Sequence, residues 1–193
     1  IAWPPRQFSS DPDNTPPVSD FRTMDWFVGS ATSPKDLTIL VDATSFSSRK
    51  LRNLAIATTK SILDTLSSND FVNVYRYGTG VDEIVACFKD VLVQGSAENI
   101  KEIKRALPTI QAESNSNITA ALSVAFETLQ KYNRTGLGTQ CNQAIMLITS
   151  NTEAASLDLI KRYNWPHMPV RIFTYLVGGD KSPELREMAC TNK

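Results

Sequence analysis

Short apolar runs alternate along the chain with stretches of helical periodicity. The run LTILV between Asp36 and Asp42 carries no charge, which is typical of a strand buried on both faces of a parallel sheet. The next segment, residues 48–67, spaces its apolar residues as in an amphipathic helix. These residues are Leu51, Leu54, Ala55, Ile62 and Leu66. The pattern therefore predicts a strand that leads into a helix.

The same alternation continues to the end of the chain. Further strands are predicted at residues 70–78, 81–88, 143–150 and 170–179, and further helices at 98–107, 117–132, 152–164 and 182–190. Gly78 and Gly80 lie in a turn that joins the second and third strands as a hairpin. Strands alternating with helices predict an α/β fold, with a doubly wound, mostly parallel sheet, one antiparallel edge strand and helices on both faces.

The first 35 residues have a different pattern. Six of the ten prolines lie there, among serine, aspartate and asparagine, which is typical of extended or loop-like chain. We therefore predict an extended N-terminal arm at residues 1–35 and a domain at residues 36–193. The first residues lack the pattern of a signal peptide, which leaves a cytosolic protein or a segment of a longer one, and we favour the segment.

Composition and motifs exclude several classes of function. The formal net charge is zero, which argues against nucleic acid as a partner, and no run of 18 apolar residues predicts a membrane span. Phosphate-binding glycine motifs and the nucleophile elbow are missing, and the single histidine, His167, lies in a proline-flanked loop. The sequence therefore predicts a protein that is not an enzyme.

The remaining chemistry is oxygen-rich. In a doubly wound sheet, the residues beyond the carboxyl ends of the strands share one crevice. Five residues are expected there: Asp42, Thr44, Ser116, Thr149 and Ser150. Oxygen ligands suit Mg²⁺ or Ca²⁺, although the same residue types also cap helices.

Several long stretches carry a family resemblance: SPKDLTILVD, ILDTLSSNDFVNV, CFKDVLVQ, CNQAIMLITS, KYNWPHMPVRIFTYLVG and MACTNK. Residues 36–179 resemble a von Willebrand factor A domain, and more narrowly that of the α2δ auxiliary subunits of voltage-gated calcium channels, in the α2δ-3/α2δ-4 branch or a divergent paralogue. The segment DFRTMDWFVGSATSPKD resembles the end of the family's Cache-type module, which would make residues 1–35 the end of that module.

The resemblance implies a metal-ion-dependent adhesion site that has degenerated. Asp42, Thr44 and Ser116 match ligand positions of the family, whereas Phe46 and Ser150 stand where a serine and an aspartate would bind the cation. The loss of one carboxylate and one hydroxyl predicts an empty or weak site and no resident cofactor, with Mg²⁺ or Ca²⁺ bound only if the degenerate site still works. Phe46 would also direct an apolar ring toward the site.

A weaker ligand site is implied upstream of the domain. Arg22, Trp26 and Phe27 match residues of the family segment, but Met24 replaces the arginine that binds the carboxylate of amino-acid-like ligands. Loss of that guanidinium argues against binding of gabapentin-like molecules. Packing of Trp26 and Phe27 onto the domain is the alternative.

All three cysteines fall at family positions, and the sequon at Asn133 matches a sequon in one branch of the family. Cys190 resembles the cysteine that joins the α2 part to the δ part, and its partner would lie outside this chain. Cys87 and Cys141 either pair with each other or are free. The sequons at Asn133, on the loop after a helix, and at Asn117 are candidate glycosylation sites in an extracellular protein.

By resemblance, the chain is expected to be a non-catalytic extracellular interaction domain. It would bind the pore-forming subunit of a voltage-gated calcium channel, promote channel surface expression and gating, and join the remainder of an α2δ-like protein, including its δ part. One alternative is a metal-dependent adhesion module with a rearranged cation site. Its substitute ligands would be Asp42, Ser45, Ser47 or Glu153. Another alternative is a sensor of amino-acid-like ligands near Trp26 and Phe27.

Overall fold

The fold is seen in a computed structural model of the 193-residue chain, which describes residues 33–138, 142–152, 155, 157–167, 169–179 and 181–190. The strands are β1 (Lys35–Asp42), β2 (Phe71–Tyr77), β3 (Val81–Glu83), β4 (Val93–Gln94), β5 (Asn142–Thr149) and β6 (Val170–Leu176). The helices are α1 (Arg49–Leu63), α2 (Ala97–Ala106), α3 (Ile118–Thr135), α4 (Leu157–Asn164) and α5 (Pro183–Cys190). Residues 1–32 of the predicted arm lie outside the described residues.

The strands form one sheet in the order β3-β2-β1-β5-β6. β1 pairs in parallel with β2 and β5, and β6 pairs in parallel with β5. β3 is the antiparallel edge strand next to β2. The predicted doubly wound, mostly parallel sheet is therefore confirmed. β4 also pairs antiparallel with the start of β2, and sequence analysis missed it because two residues are too few to show an alternating pattern.

Helices cover both faces of the sheet and create two cores. Leu37, Ile39 and Val41 of β1 face the core beneath α1 and α2, whereas Leu40 faces the core beneath α3, α4 and α5. β1 is central in the sheet and buried along almost its whole length. Its carboxyl end, which carries Asp42, is therefore held between two neighbouring strands and two helical layers.

The apolar stripe of α3 lies where its sequence pattern places it. Leu122, Ala125, Phe126 and Leu129 are fully buried against the sheet, as expected for residues three and four apart on one helix face. The helix ends at Gly136, whose φ of 66° is a left-handed conformation that glycine adopts without steric cost.

Other boundaries differ from the prediction. α1 ends at Leu63, four residues early, and Leu54 is 42% exposed because the buried face of the helix runs through Ala55, Thr59 and Ile62. The third strand ends at Glu83, and Ala86–Phe88 form a short 3-10 helix. Apolar residues after Glu83 pack against the core from irregular chain, so their composition alone suggested a longer strand. Among the described residues, no helix is both long and apolar enough to cross a membrane.

Candidate functional site

Asp42 lies at the carboxyl end of β1, where the sheet meets its surface loops. The parallel register pairs Val41 with Ile148, so Asp42 and Thr149 end neighbouring strands at the same edge. Asp42 then acts as the N-cap of a 3-10 helix, Ala43–Phe46, by accepting a hydrogen bond from the Thr44 backbone N–H. The end of a buried strand and the start of a helix therefore fix this carboxylate from both sides.

Both oxygens of the Asp42 carboxylate accept hydrogen bonds from the protein. Oδ1 accepts from the Thr44 backbone N–H at 2.9 Å and from the Thr44 hydroxyl at 2.7 Å. Oδ2 accepts from the Thr149 hydroxyl at 2.6 Å. Asp42 has no exposed surface, so these donors replace the water that would otherwise solvate it.

Two serines extend this network. The Ser45 hydroxyl donates to the Ser150 hydroxyl at 3.1 Å, and the Thr44 and Ser150 hydroxyl oxygens are 3.4 Å apart. We name Asp42, Thr44, Ser45, Thr149 and Ser150 the Asp42 site. Ser45 was predicted only as a substitute metal ligand. Its bond to Ser150 spans more than one hundred residues and has no local sequence signal.

The Asp42 site holds one carboxylate among neutral groups. The nearby Tyr77 phenol has a raised pKa, first because it is buried and second because the negative charge of Asp42 opposes its ionisation. Within the part of the chain that the structure describes, no group of three or more histidine, cysteine, aspartate or glutamate side chains is arranged to hold a metal ion. The chemistry that the site offers is hydrogen bonding through hydroxyl groups.

Phe46 does not direct its ring toward the Asp42 site, which corrects the expectation from the sequence. The residue is 6% exposed and packs in the core beneath α1 and α2. The Arg52 guanidinium lies 5.9 Å from its ring centroid, a distance typical of a cation–π contact. The 3-10 helix that follows β1 turns this side chain inward, and its spacing from Asp42 in the sequence could not reveal that direction.

Ser116 lies in the segment of residues 110–117 that leads into α3, which we name the Ser116 loop. The residue is half-buried, and among the described residues its hydroxyl is not part of the Asp42 network. The next residue, Asn117, caps α3 by accepting the Ala120 backbone N–H at 2.9 Å. The fold therefore fixes the backbone directly after Ser116.

Glu113, a charged residue of the Ser116 loop, has no signal in the sequence that marks it as part of a site. Its Oε2 atom accepts hydrogen bonds from the Thr79 backbone N–H at 2.7 Å and from the Thr79 hydroxyl at 2.8 Å. Its Oε1 atom accepts from the Arg76 guanidinium, which also pairs with Asp82. Arg76 and Thr79 are more than thirty residues from Glu113 in the sequence, so no motif or periodicity connects them.

The contribution of Glu113 to stability is expected to be lost in acid. Its pKa is lowered, first by the hydrogen bond from the Thr79 backbone, then by the Thr79 hydroxyl and by Arg76. A lowered folded-state pKa means that this contribution is full above the unfolded pKa of about 4.3 and falls as the pH drops through the folded pKa. Urea unfolding of the wild type and Glu113→Gln at several pH values measures it. A stability difference that does not change with pH would contradict this expectation.

The two sequons differ in their surroundings. Asn133 is exposed in the last turns of α3, so it lies within the helix and not on the loop after it, because the helix continues to Thr135. Asn117 is exposed at the first turn of the same helix, and its side-chain oxygen is already used as the cap. Glycosylation of either residue stays a prediction.

The described cysteines are both free thiols. Cys87 is exposed in the 3-10 helix after β3, which agrees with the second of the two alternatives left open for it by the sequence. Cys141 itself lies outside the described residues. Cys190, at the end of α5, is also an exposed free thiol, and its link to a partner outside this chain stays a prediction.

Other predicted site residues lie outside the described part of the chain. They are Arg22, Met24, Trp26, Phe27 and Glu153. Of the substitute metal ligands, Ser47 donates its hydroxyl to the Thr44 carbonyl at 2.7 Å. The structure therefore brings together Asp42, Thr44, Thr149 and Ser150 from the predicted site, and it places Ser116 in an adjacent loop.

The chain is similar to calcium channel subunits in sequence. It is 37% identical over 176 residues to the human voltage-dependent calcium channel subunit alpha-2/delta-4, which corresponds to 90% of this chain and 16% of that protein. It is 39% identical over 187 residues to the rat subunit alpha-2/delta-3, which corresponds to 95% of this chain and 17% of that protein. The chain therefore spans about one sixth of the length of these relatives. No protein-family model matches it.

The fold is also similar to that of solved protein structures. The crystal structure of the SpRpn10 VWA domain superposes with a TM-score of 0.57 at 12% identity and covers 82% of each chain. At that identity the similarity concerns the fold alone. The sequence relatives show that this chain belongs to the alpha-2/delta family of voltage-dependent calcium channel subunits, and the superposition shows that it has the fold of a von Willebrand factor A domain.

Proposed function

We propose that this chain is a non-catalytic interaction domain on the extracellular side of an alpha-2/delta-like subunit. It binds the pore-forming subunit of a voltage-dependent calcium channel and promotes surface expression and gating of the channel through that contact. The remainder of the same protein, including its δ part, is its other partner, reached through Cys190. Homology to the alpha-2/delta subunits supports this role.

In our proposal the Asp42 site makes this contact without a bound cation. The observation that carries this view is that both carboxylate oxygens of Asp42 already accept short hydrogen bonds from Thr44 and Thr149. A cation would need these oxygens, and Mg²⁺ would need an octahedron of six ligands. Ser150 offers a hydroxyl where a second carboxylate would supply charge. The residues present therefore do not fit a divalent cation.

A partner would recognise this surface by shape and hydrogen bonding. The Thr44 hydroxyl donates to Asp42 and can accept a hydrogen bond from a partner, whereas the Ser150 hydroxyl accepts from Ser45 and can donate to a partner. Contacts of this kind are insensitive to chelators. They depend on the position of each oxygen, because a misplaced hydroxyl leaves a polar group of the partner desolvated and unpaired.

We expect divalent cations to leave the stability of the chain unchanged. A ligand that binds only the native state raises the melting temperature by an amount that grows with the logarithm of its concentration once that concentration exceeds the dissociation constant. The melting temperature in EDTA should therefore match that in millimolar Mg²⁺, Ca²⁺ or Mn²⁺ to within about 1 °C. Asp42→Asn is the control, because it removes the only carboxylate of the site. A rise with cation concentration in the wild type that the control lacks would favour the rearranged cation site.

The contact itself is tested by co-precipitation with a pore-forming calcium channel subunit. Binding should be equal in EDTA and in Mg²⁺. It should fall in the double variant Thr44→Val, Ser150→Ala. Val91→Ala, at an exposed apolar residue beyond β3, is the control. Binding that requires a cation would contradict the proposal, and so would binding that the double variant leaves unchanged.

A further inference from the structure

The Ser116 loop crosses the turn between β2 and β3 before it enters α3. That turn is closed by the Gly78 backbone N–H, which donates to the Gly80 carbonyl at 2.8 Å. Glu113 reaches into the turn and accepts both Thr79 donors, the backbone N–H and the hydroxyl. Arg76, at the end of β2, holds the second oxygen of the same carboxylate. One side chain of the loop is thus bound by three donors of the hairpin.

Two backbone contacts fix the loop on either side of Ser116. The Glu113 backbone N–H donates to the carbonyl of Ala43 at 3.4 Å, and Ala43 directly follows Asp42 in the chain. The Asn117 backbone N–H donates to the Gly78 carbonyl at 2.8 Å. Ser116 therefore lies between two points at which the loop is attached to the sheet and to the Asp42 site.

Gly78 makes this attachment sterically feasible. A Cβ atom at Gly78 would lie 2.3 Å from Glu113 Oε2, 2.4 Å from its Cδ and 2.8 Å from its Oε1. These are the nearest atoms to that position, so the carboxylate of Glu113 lies directly over Gly78. Any side chain at residue 78 would displace the carboxylate from its three donors.

We propose that Glu113 is a positioning residue that holds the Ser116 loop in the geometry needed for partner binding. This inference rests on the proposed function and deepens it. The carboxylate does not contact the partner. It ties the loop to Thr79 and Arg76, and through the Ala43 contact it sets the loop against the Asp42 site. Release of the carboxylate would leave the core intact, because Glu113 is only half-buried and belongs to neither apolar core.

Two variants release the carboxylate in different ways. Glu113→Gln removes the negative charge of the side chain and replaces one carboxylate oxygen by an NH2 group. This group is a hydrogen-bond donor, so it cannot accept from the donors of Thr79 and Arg76. Gly78→Ala keeps every charge and displaces the carboxylate by steric clash. Glu102→Gln is the control, since it is the same substitution in another arginine–glutamate pair, on α2, which is more exposed to solvent.

The first measurement is hydrogen exchange of the backbone amides in the 193-residue chain. Both release variants should exchange the Thr79 and Asn117 amides about tenfold faster than the wild type, because the hydrogen bonds of these amides open when the loop lifts. Exchange at Thr79 and Asn117 should rise by more than exchange of the β1 amides, which report any change in global stability. Unchanged exchange at Thr79 and Asn117 would overturn the inference, and so would equally fast exchange in Glu102→Gln.

A double variant gives a test that general destabilisation does not mimic. In a Glu113→Ala background, Gly78→Ala has no carboxylate to displace, so it should have no further effect on exchange. Additive effects would overturn the inference.

Binding to the pore-forming subunit separates this inference from the proposed function. If both hold, the release variants bind at least about tenfold more weakly, which is about 1.4 kcal/mol, and Glu102→Gln binds like the wild type. Absence of binding by the wild type would contradict the proposed function. The exchange data would then test only whether Glu113 attaches the Ser116 loop to the hairpin. Wild-type binding that the release variants retain in full would overturn the positioning role.

Discussion

Replacement of Asp42 by alanine is expected to lower the free energy of unfolding by about 2–4 kcal/mol. The carboxylate caps the 3-10 helix after β1, and loss of a cap costs about 1 kcal/mol. The substitution also leaves the hydroxyl of Thr149 without its buried acceptor, at a cost of about 1–3 kcal/mol. Urea unfolding followed by circular dichroism measures the change.

Asparagine at the same position separates hydrogen bonding from charge. Its side-chain oxygen can accept the two Thr44 donors, and its amide can donate to the Thr149 hydroxyl, which is free to reorient. Asp42→Asn should therefore stay within about 1 kcal/mol of the wild type. Asp64→Ala, at an exposed carboxylate after α1, should change stability by no more than about 0.5 kcal/mol. A loss with asparagine as large as that with alanine would mean that the negative charge itself is required.

Replacement of Phe126 by alanine is expected to have the largest effect on stability, about 3–5 kcal/mol. The side chain is fully buried between α3 and the sheet. Its ring stacks on Tyr163 of α4, with centroids 5.3 Å apart and ring planes 2° from parallel. Alanine would leave a cavity that the rigid sheet cannot fill and would also remove the contact between the two helices. Chemical denaturation measures the loss.

Tyr163→Phe is the control for Phe126. It keeps the stacked rings and removes only the exposed hydrogen bond from the tyrosine hydroxyl to Glu127, 2.9 Å long. Its effect should be at most about 1 kcal/mol. Phe126→Leu, which nearly conserves the apolar volume, should cost about 1.5 kcal/mol or less. A loss below about 1 kcal/mol for Phe126→Ala would show that α3 can repack without this ring.

Local patterns in the sequence were sufficient to find most of the secondary structure. The apolar run before Asp42 is a central parallel strand, and the stripe from Leu122 to Leu129 is the buried face of α3. Both predictions depend on side-chain periodicity over fewer than ten residues, which the backbone geometry of one element determines. The position of Asp42 at the carboxyl end of its strand followed from the same argument.

The prediction was wrong where periodicity was weak or the decisive contact came from elsewhere. Leu54 fits the helical pattern of α1 but lies outside its buried face, and β4 is too short to show any pattern. The ring of Phe46 packs in the core because the chain turns into a 3-10 helix after Asp42. No local signal distinguishes that direction from one toward the site.

The sequence by itself determined the fold class, the family, and the presence of a single carboxylate with hydroxyl neighbours at the end of β1. Only the tertiary structure decided what those groups do. Thr149 and Ser150 come from β5 and the residues just after it, and Glu113 comes from a loop that meets a distant hairpin. Hydrogen bonds act over about 3 Å in space, whatever the separation along the chain, so partners more than thirty residues apart become evident only after the sheet has set its strand order and register.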